Sequence, residues 1–394
     1  MELAGVNLLD PQLHRMGPPY AVLARLRREA PVFLHRRSGM PPFWMLTRHA
    51  DVAAVAADWE GFSSAANGAL LEEEPTGPAD ALHTSLLHLD PPEHAVLRGA
   101  VGAGFTAEAT ERLTVRLRTL CTLVLDRVCE RGGCDFVEDV AAEFSLLPLA
   151  EMLGFPDAAD RRRVHRLART LSDPLERLDP DAVMRATMGL FDVARELRQQ
   201  SPEGGLAELT GRQFELFFLL LATAGHMTAQ QLMSGALLAL FEDPDAWRRL
   251  TAEPELPGTA VDELVRFVSP VMTFQRTATA DTEIGGQAIA KGDRVALCYA
   301  AANRDESVFA DPDRLDLERD PNPHLGFGLG PHHCLGDGLA RLQTRVLFEE
   351  LARRMPDIEP AGPVDRLGST FLNGIRSLPV RFTPSPPVRR RARG

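Results

Sequence analysis

The sequence predicts a mainly α-helical protein with a few small β-sheets. Between residues 91 and 250, apolar side chains recur at the three- and four-residue spacing of helices. After residue 270 the pattern changes to short stretches rich in β-branched residues, and a Gly-Gly turn at 285–286 is typical of a hairpin. A last helix follows the segment 327–336, and short strands are expected near 365–382.

Each element has a local signal in chain order. The first 60 residues contain a helical stretch, "YAVLARLRREA", and a strand, "PPFWMLT". Residues 63–89 mix Gly, Asn, acids and Pro without periodicity and predict a long loop, which inside a compact domain is usually functional. The helical region that follows is expected to break at Gly154–Pro156, around Asp173–Pro174 and at Ser201–Gly205.

Composition excludes several classes of protein. The 394 residues are 44% hydrophobic and 25% charged, as in a globular protein. A net charge of −12 argues against broad nucleic-acid binding. The N-terminus has no secretory signal, and the apolar run 216–228 is too short for a membrane span, so we expect a cytoplasmic protein. Five cysteines without a CxxC pair indicate a reducing compartment and no structural zinc.

Nothing in the sequence looks like a linker between domains. We therefore expect a single domain over residues 1–383 that is a monomer. Residues 384–394 end in "RRRARG" after "TPSPP" and predict a disordered basic tail.

The segment "FGLGPHHCLGDGLAR" (327–341) surrounds Cys334 with features that favour a thiolate. A thiolate is a strong metal ligand, but a free thiol has a pKa of about 8.5 that must be lowered. Gly330 and Gly336 are expected to let backbone N–H groups approach the sulfur, and a helix beginning near Gly336 would direct its positive end toward it. Phe327 would limit access of water. The alternative is an inert buried cysteine after a glycine-rich turn.

Three other short motifs are weak when taken alone. Glu263 and Arg266 in "ELVR" can form an ion pair on one helix face. His94 and Arg98 in "HAVLR" have another common helical spacing, and Arg276 in "FQRTATAD" begins the strand region.

Together with "DPPEH", "AGHMT", "ANRD" and "FADPDRL", in this order, these motifs resemble the bacterial cytochromes P450, which are haem-thiolate monooxygenases. The resemblance extends from about residue 15 to 382. The cysteine segment matches the family pattern F-G-x-G-x-H-x-C-x-G at every fixed position, and that match is highly specific.

The resemblance implies haem b bound between a long distal helix and the cysteine loop. Cys334 would be the iron ligand, its thiolate favouring O–O cleavage. The residues implied for the haem propionates are His94, Arg98, Arg276 and His332. The loop positions implied around the haem are Phe327, Gly328 and Gly336. A buried ion network that braces the loop would consist of Glu263, Arg266 and Arg314.

The distal helix departs from the family pattern. The oxygen-binding turn would comprise Ala224, Gly225, Met227 and Thr228, and Met227 replaces the family's usual acid. Three interpretations remain open. Water, His226 or a polar substrate group supplies protons to an ordinary hydroxylase; peroxide-driven turnover or substrate-radical coupling avoids part of the relay; or the protein is a non-catalytic haem-thiolate binding or sensor protein.

The same resemblance implies an apolar substrate pocket. Its expected wall residues are Leu70, Leu71, Leu86, Leu87, Phe217, Phe218, Leu221, Ala222, Val271, Met272, Phe371 and Leu372. Phe and Leu at helical spacing over 214–221 also fit an ordinary core. The stretches "NPHLGFG" and "STFLNGIRSLPVRF" are similar to enzymes that oxidise branched lipids, sterols or terpenoids, and also to natural-product tailoring enzymes, so the apolar substrate is either free or carrier-bound.

The chain lacks a complete G-x-G-x-x-G unit after a strand, so we expect no nucleotide domain of its own. Electrons would come from a ferredoxin and its reductase, docked by arginines near the cysteine loop such as Arg341 and Arg345. A hydrolase with Cys334 as nucleophile is disfavoured because it lacks a positioned His–acid pair.

Overall fold

The computed structural model describes residues 3–37, 39–71, 85–155, 157–200 and 209–388. The mainly α-helical class predicted from the sequence is confirmed. The α-helices are α1 Tyr20–Glu29, α2 His49–Ala57, α3 Glu93–Gly102, α4 Ala107–Arg112, α5 Thr114–Val128, α6 Ala142–Leu153, α7 Ala158–Ser172, α8 Pro180–Gln200, α9 Gly211–Leu220, α10 Thr228–Glu242, α11 Pro244–Ala252, α12 Gly258–Val268, α13 Tyr299–Ala302 and α14 Asp337–Arg354.

Local chemistry explains where the helices begin and end. Gly154 ends α6 in the left-handed conformation that glycine adopts without steric cost. Asp157 caps the start of α7 by accepting from the N–H of Ala159. The expected breaks near 154 and 173 are therefore present. The third expected break, 201–205, lies outside the described residues, as do residues 72–84 of the predicted loop.

The strands form small sheets, as the sequence predicts. Their bounds are β1 Val32–Arg37, β2 Met40–Leu46, β3 Phe62–Ser63, β4 Gly133–Asp135, β5 Thr273–Ala278, β6 Thr282–Ile284, β7 Gln287–Ile289, β8 Arg294–Cys298, β9 Glu359–Pro360, β10 Asp365–Arg366, β11 Ile375–Ser377 and β12 Pro379–Arg381.

The largest sheet has the order β1-β2-β8-β5-β3, with β2 and β8 parallel and the other pairs antiparallel. The order β4-β12-β9 forms a second sheet, β10 pairs with β11, and β6 and β7 form the expected hairpin. In the largest sheet β5 lies between β8 and β3, and the backbone of Arg276 pairs with Val295 of β8.

One long helix crosses the protein. It consists of α9, a π-helical turn over Leu221–Met227, and α10, and together they run from Gly211 to Glu242. By length and composition this helix could cross a membrane, but 67% of its most apolar window is buried inside the protein. It is packed as the core helix of the α-helical body, against α6, α7 and α12.

The predicted tail begins later than residue 384. The N–H of Ser385 donates to the carbonyl of Cys129 at 2.8 Å, and the N–H of Val388 donates to Asp126 at 3.0 Å. These two bonds hold the start of the predicted tail on the end of α5. Residues 389–394 lie outside the described part of the chain.

Candidate active site

A cavity lies between the long helix and the cysteine segment. Its helix side is lined by Phe217, Leu220, Leu221, Ala224, Gly225 and Thr228. The opposite side contains Cys334 and its neighbours, and a third side comes from β5 and the residues before it. The structure therefore brings the cysteine, the distal turn and the predicted propionate residues around one space.

Cys334 is held in a tight loop at the start of α14. Its N–H donates to the carbonyl of Phe327 at 2.8 Å, and Gly336 is the residue immediately before α14. Burial raises the pKa of the Cys334 thiol to about 11, although a hydrogen bond from the backbone of Gly336 opposes this shift. The expectation that the loop alone lowers this pKa is therefore wrong. A bound metal cation is the group that would hold the sulfur as a thiolate.

Of the two glycines of the loop, Gly336 has the expected backbone hydrogen bond to the sulfur, whereas Gly330 has a different role from the one expected. Gly330 has φ +71°, and a Cβ atom there would lie 2.6 Å from the carbonyl oxygen of Ala56. Gly330 thus permits a left-handed turn and close packing on α2, rather than an approach to the sulfur. A Cβ atom at Gly336 would meet nothing within 4 Å.

The predicted propionate residues surround one end of the cavity with unpaired donors. The Nε2 atoms of His94 and His332 are buried and have no hydrogen-bond partner among the described residues, and the two rings are 4.4 Å apart. Arg276 is 4% exposed, and its Nη1 donates only to the carbonyl of Gln275, at 2.7 Å. Arg98 also lines the cavity.

Asp90 is a carboxylate near His94 and Arg276, but it accepts from Ser63 and Ser64 and, in the described part of the chain, forms no ion pair with His94 or Arg276. Burial is the main cause that lowers the pKa of His332 to about 3, and the positive charge of the nearby Arg276 adds to it. Burial is also the main cause that lowers the pKa of His94, and there the charge of Arg98 adds to it. Burial also lowers the pKa of Arg276. Carboxylates placed here would pair with the buried Arg276 and the half-buried Arg98, and would accept from two orphaned imidazoles. The residues therefore fit the two propionates of haem b.

Tyr299 is a cavity residue that the sequence reasoning missed. It follows β8, lines the cavity and is 4% exposed. Burial raises the pKa of its phenol, while the neighbouring Arg276 opposes that shift. Its ring meets Phe274 edge-on, with ring centres 6.2 Å apart. Only its position three residues before "ANRD" could have suggested a role.

Glu263 and Arg266 form a fully buried bidentate pair on α12. Arg266 Nε and Nη2 donate to the two carboxylate oxygens at 2.7 and 2.8 Å, and both side chains are 0% exposed. Arg266 Nη1 also donates to the carbonyl of Asn303 at 2.7 Å. Every charged atom therefore has a partner, which a buried pair requires.

The third member of this network is Arg319, and the prediction of Arg314 is wrong. Arg319 Nε donates to Glu263 Oε2 at 3.0 Å and is 9% exposed. The side chain of Arg314 is exposed, and only its carbonyl oxygen takes part, accepting from Arg266 at 3.3 Å. The chain turns between the two arginines, so the residue that points inward is five positions later.

Asn303 and His324 connect this network to the cysteine segment. Asn303 Oδ1 accepts from the N–H of Leu325 at 2.7 Å. His324 Nδ1 accepts from the N–H of Gly326 at 3.1 Å, and its Nε2 lies 3.3 Å from Asp262 on α12. The backbone just before Phe327 is thus fixed to α12 through side chains.

The distal turn places its predicted residues on two faces. Ala224, Gly225 and Thr228 line the cavity, and the Thr228 hydroxyl donates to the carbonyl of Ala224. Met227 is 3% exposed and His226 is 0% exposed, and neither lines the cavity. The position that holds an acid in the family pattern therefore belongs to the helical core here.

Half of the predicted pocket residues lie in the wall. Those lining the cavity are Leu86, Leu87, Phe217, Leu221, Val271 and Phe371. Those outside the lining are Leu70, Leu71, Phe218, Ala222, Met272 and Leu372. Whether a predicted residue lines the cavity depends on which face of its helix, strand or connecting segment it occupies. Phe218 instead packs on Phe155 with ring centres 5.8 Å apart, and Leu71 and Met272 belong to a core cluster with the N-terminal segment.

Several wall residues were missed because only the three-dimensional packing of helices, strand β5 and connecting segments identifies them. They are Phe105, Leu149, Leu220, Ala229, Leu232, Pro270 and Phe274. All are apolar, so the distal wall has an apolar surface broken by the Thr228 hydroxyl.

Comparison with known proteins agrees with this geometry. The family model described as Cytochrome P450 matches residues 176–355. The chain is 35% identical over 409 residues to a steroid C26-monooxygenase of Mycolicibacterium smegmatis, covering 96% of this chain and 93% of that protein. It is 36% identical over 403 residues to a linalool 8-monooxygenase of Pseudomonas putida, covering 96% and 99%.

A solved structure is similar over nearly the same length. It is a Mycobacterium marinum cytochrome P450 in complex with pseudoionone, with a TM-score of 0.84 and 37% sequence identity. The match covers 92% of this chain and 94% of that one.

Proposed function

This chain belongs to the cytochrome P450 family and is a haem-thiolate monooxygenase, and we propose that it hydroxylates a free terpenoid or sterol-like substrate. Haem b supplies the oxygen activation when bound, and the overall reaction takes one O2, two electrons and two protons per hydroxyl formed, with release of water. The observation that carries the substrate proposal is the apolar distal wall, in which Thr228 supplies the hydroxyl.

Residues on one side of the cavity would bind the haem, and residues on the other side would bind the substrate. Cys334 would hold the iron, and His94, Arg98, Arg276 and His332 would hold the propionates and so fix the haem orientation. The wall would orient the substrate by shape and exclude water, since it offers no charged anchor on the helix side.

Thr228 is the proposed catalytic hydroxyl. It bonds back to Ala224, one turn earlier in the π-helical segment, and so it points into the cavity beside Gly225. A hydroxyl there can exchange a proton with water or with a polar substrate group. Met227 offers no such exchange because it has no ionisable group and faces the core.

Electrons would come from a ferredoxin and its reductase in the cytoplasm. Arg341 near the cysteine loop is engaged with Asp262 at 2.7 Å and with Asp337, so it is held in place on the surface side of α14. We propose that a partner protein with negative surface charge docks on this side. The enzyme itself would act as a monomer with a single domain.

The test is a titration of the purified haem-loaded protein with free ligands, read as the Soret shift on loss of iron-bound water. The ligands are terpenoid alcohols, sterol ketones, branched fatty acids and amino-acid derivatives. A saturable shift with a terpenoid or sterol, followed by a hydroxylated product with a surrogate ferredoxin, supports the proposal. A shift with none of them contradicts a free substrate and favours a carrier-bound one.

One observation favours a second function. Because Met227 replaces the usual acid and lies in the core, proton delivery through that position is absent. Peroxide-driven oxidation, in which the oxidant brings its own protons, would not need it. Product formation with hydrogen peroxide at a rate equal to or above that with ferredoxin would establish this function instead.

A further inference from the structure

A chain of polar side chains runs from the protein surface to the back of the distal turn. Glu138 lies in the segment before α6, His165 on α7, His226 in the π-helical turn and Ser145 on α6. The Glu138 side chain is 39% exposed and that of His165 is 14% exposed, whereas His226 is 0% and Ser145 1% exposed.

Each link of this chain has hydrogen-bond geometry. Glu138 Oε2 is 3.2 Å from His165 Nε2, and His165 Nδ1 is 2.9 Å from His226 Nε2. His226 Nδ1 is 2.7 Å from Ser145 Oγ. Both nitrogens of both imidazoles are therefore occupied, although the rings lie between packed helices.

The surface carboxylate fixes the direction of the outermost bond. The hydrogen bond from His165 is the main reason that the pKa of Glu138 is lowered, so Glu138 is an anion and an acceptor. His165 Nε2–H then donates to Glu138, and its Nδ1 shares the second hydrogen bond with His226 Nε2. Burial holds the pKa of His226 well below its usual value, so this ring is neutral. Its Nδ1 shares a hydrogen bond with Ser145 Oγ, which also lies 3.1 Å from the carbonyl oxygen of Ala142.

The inner end of the chain lies directly behind the cavity wall. His226 follows Gly225, which lines the cavity, and precedes the Thr228 hydroxyl by two positions. On α6, Ser145 and Leu149 are one turn apart. Leu149 lines the cavity, and a Cβ atom at Gly225 would lie 3.5 Å from its Cδ1 atom. The π-helical turn is thus seated on α6 at two points, through Gly225 and through His226.

Placing the buried His226 against the partly buried His165 costs free energy, since both rings must be desolvated and hydrogen-bonded. Apolar side chains of similar size would pack there without that requirement. A fully satisfied polar chain instead selects one arrangement of the elements it joins. The elements joined here are the distal turn, α6 and α7.

We propose that His226, oriented through His165 by Glu138, is a positioning residue that sets the geometry of the turn Ala224–Thr228 for oxygen chemistry. The proposal rests on the proposed monooxygenase function. It assigns no proton delivery to His226, because that ring does not line the cavity.

The first test uses carbon monoxide as a probe of the distal turn in the reduced, haem-loaded protein without substrate. The C–O stretching band reports distal geometry and does not depend on which substrate is natural. In His226→Leu we expect a shifted or broadened band, and the same direction of change in His165→Leu. An unchanged band in a folded, haem-loaded His226→Leu protein overturns the proposal.

Conservative variants separate the two contacts of His226. Gln places its amide near the Nε2 position and can meet His165, whereas Asn reaches the Nδ1 position and can meet Ser145. We expect His226→Gln to retain the wild-type band better than His226→Asn, since the orientation comes through His165. Rescue by Asn alone overturns the role of α7 and Glu138.

A substitution at Glu138, the surface end of the polar chain, tests the proposal even if the variants of the buried residues fail to fold. Glu138→Gln should change the band in the same direction as His165→Leu, while leaving the fold intact. The matched control is Glu196→Gln, which removes another exposed carboxylate partner of α7, 3.1 Å from Arg163. No change in Glu138→Gln, or an equal change in the control, overturns the proposal.

Electron use gives a second readout. With any ligand that shifts the Soret band, we expect the product formed per electron pair in His165→Leu to fall by about threefold to tenfold, less than the roughly 10²-fold that a 1 Å misplacement can cost. Unchanged electron use with a changed carbonyl band would overturn the catalytic relevance of the positioning. Failure of every ligand to shift the Soret band would contradict the proposed substrate class and leave the carbonyl result standing.

Discussion

The two sides of the cavity are built on opposite principles. On the cysteine side, buried charges and backbone groups are paired one by one, as Glu263 and Arg266 are. On the distal side, apolar side chains of α9, α10 and the segment near Val271 form a surface with few polar groups. The cysteine side should tolerate almost no change of residue type, because a missing partner leaves a buried charge. The distal side should accept changes of shape and respond with altered ligand preference.

The largest effect is expected at the ion network. Arg266→Ala leaves the Glu263 carboxylate buried beside Arg319 alone, which should destabilise the fold by about 3–5 kcal/mol. We expect most of this variant to fail to load haem, as measured by haem absorbance per protein. The control is Arg314→Ala, whose side chain is exposed, and it should load normally. Equal loading of both variants would contradict the bracing role.

A second effect should separate the glycines of the cysteine loop. Gly330→Ala adds a Cβ atom 2.6 Å from a backbone oxygen at φ +71°, which should cost about 1–3 kcal/mol and lower the thermal midpoint of the haem-loaded protein. Gly336→Ala adds a Cβ atom with nothing within 4 Å, so its effect should be small. The reverse order of thermal midpoints would show that the packing on α2 is unimportant.

Two adjacent residues sharpen the comparison on the distal side. Phe371 lines the cavity, and Leu372 is 3% exposed in the core beyond it. Leu372→Ala should cost about 2–5 kcal/mol of folding free energy. Phe371→Ala should change ligand affinity in the Soret titration with a loss of stability of about 1 kcal/mol or less. If Leu372→Ala instead changed affinity without loss of stability, the assignment of the wall would be wrong.

The smallest effect is an acid sensitivity of the cysteine side. Burial alone would raise the pKa of Asp262, but hydrogen bonds from His324 and Arg341 lower it below its usual value. A carboxylate with a depressed folded-state pKa contributes stability above its unfolded pKa of about 4 and loses that contribution as pH falls through the folded value.

Asp262→Asn should therefore lower the free energy of unfolding by about 1 kcal/mol at pH 7, a value kept small by solvent screening. The difference from wild type should shrink as the pH is lowered below 4. The control is Asp245→Asn, an exposed residue beside Arg248 on α11. A difference between Asp262→Asn and wild type that grows in acid would contradict the sign of this linkage.

The same contrast explains how much could be predicted from the sequence. The cysteine side depends on residue types at fixed spacing, so Cys334, His332 and the Glu263–Arg266 pair could be placed from motifs. Arg319 could not, because it meets Glu263 across 56 residues of chain and no spacing marks that contact. The thiol pKa was mispredicted because burial outweighs the backbone hydrogen bond at the sulfur.

The distal wall depends on helix phase and on the pairing of segments, which the sequence specifies less well. Phe217 and Phe218 are equally apolar, yet only Phe217 faces the cavity. The π-helical turn adds to the difficulty, since it shifts the phase between α9 and α10. The partner of His226 on α7 is 61 residues away, and only the packing of the helices brings the two rings together.

The most direct measurement is a Soret titration of the wild-type holoprotein with two ligands of one carbon skeleton, a terpenoid alcohol and the matching carboxylate. We predict a saturable shift with the alcohol and binding of the carboxylate at least about tenfold weaker, because the distal wall, as far as the structure describes it, contains no cation that could replace the lost hydration. Tighter binding of the carboxylate would show a charged anchor in the pocket and would contradict the division of the site into a paired side and an apolar side.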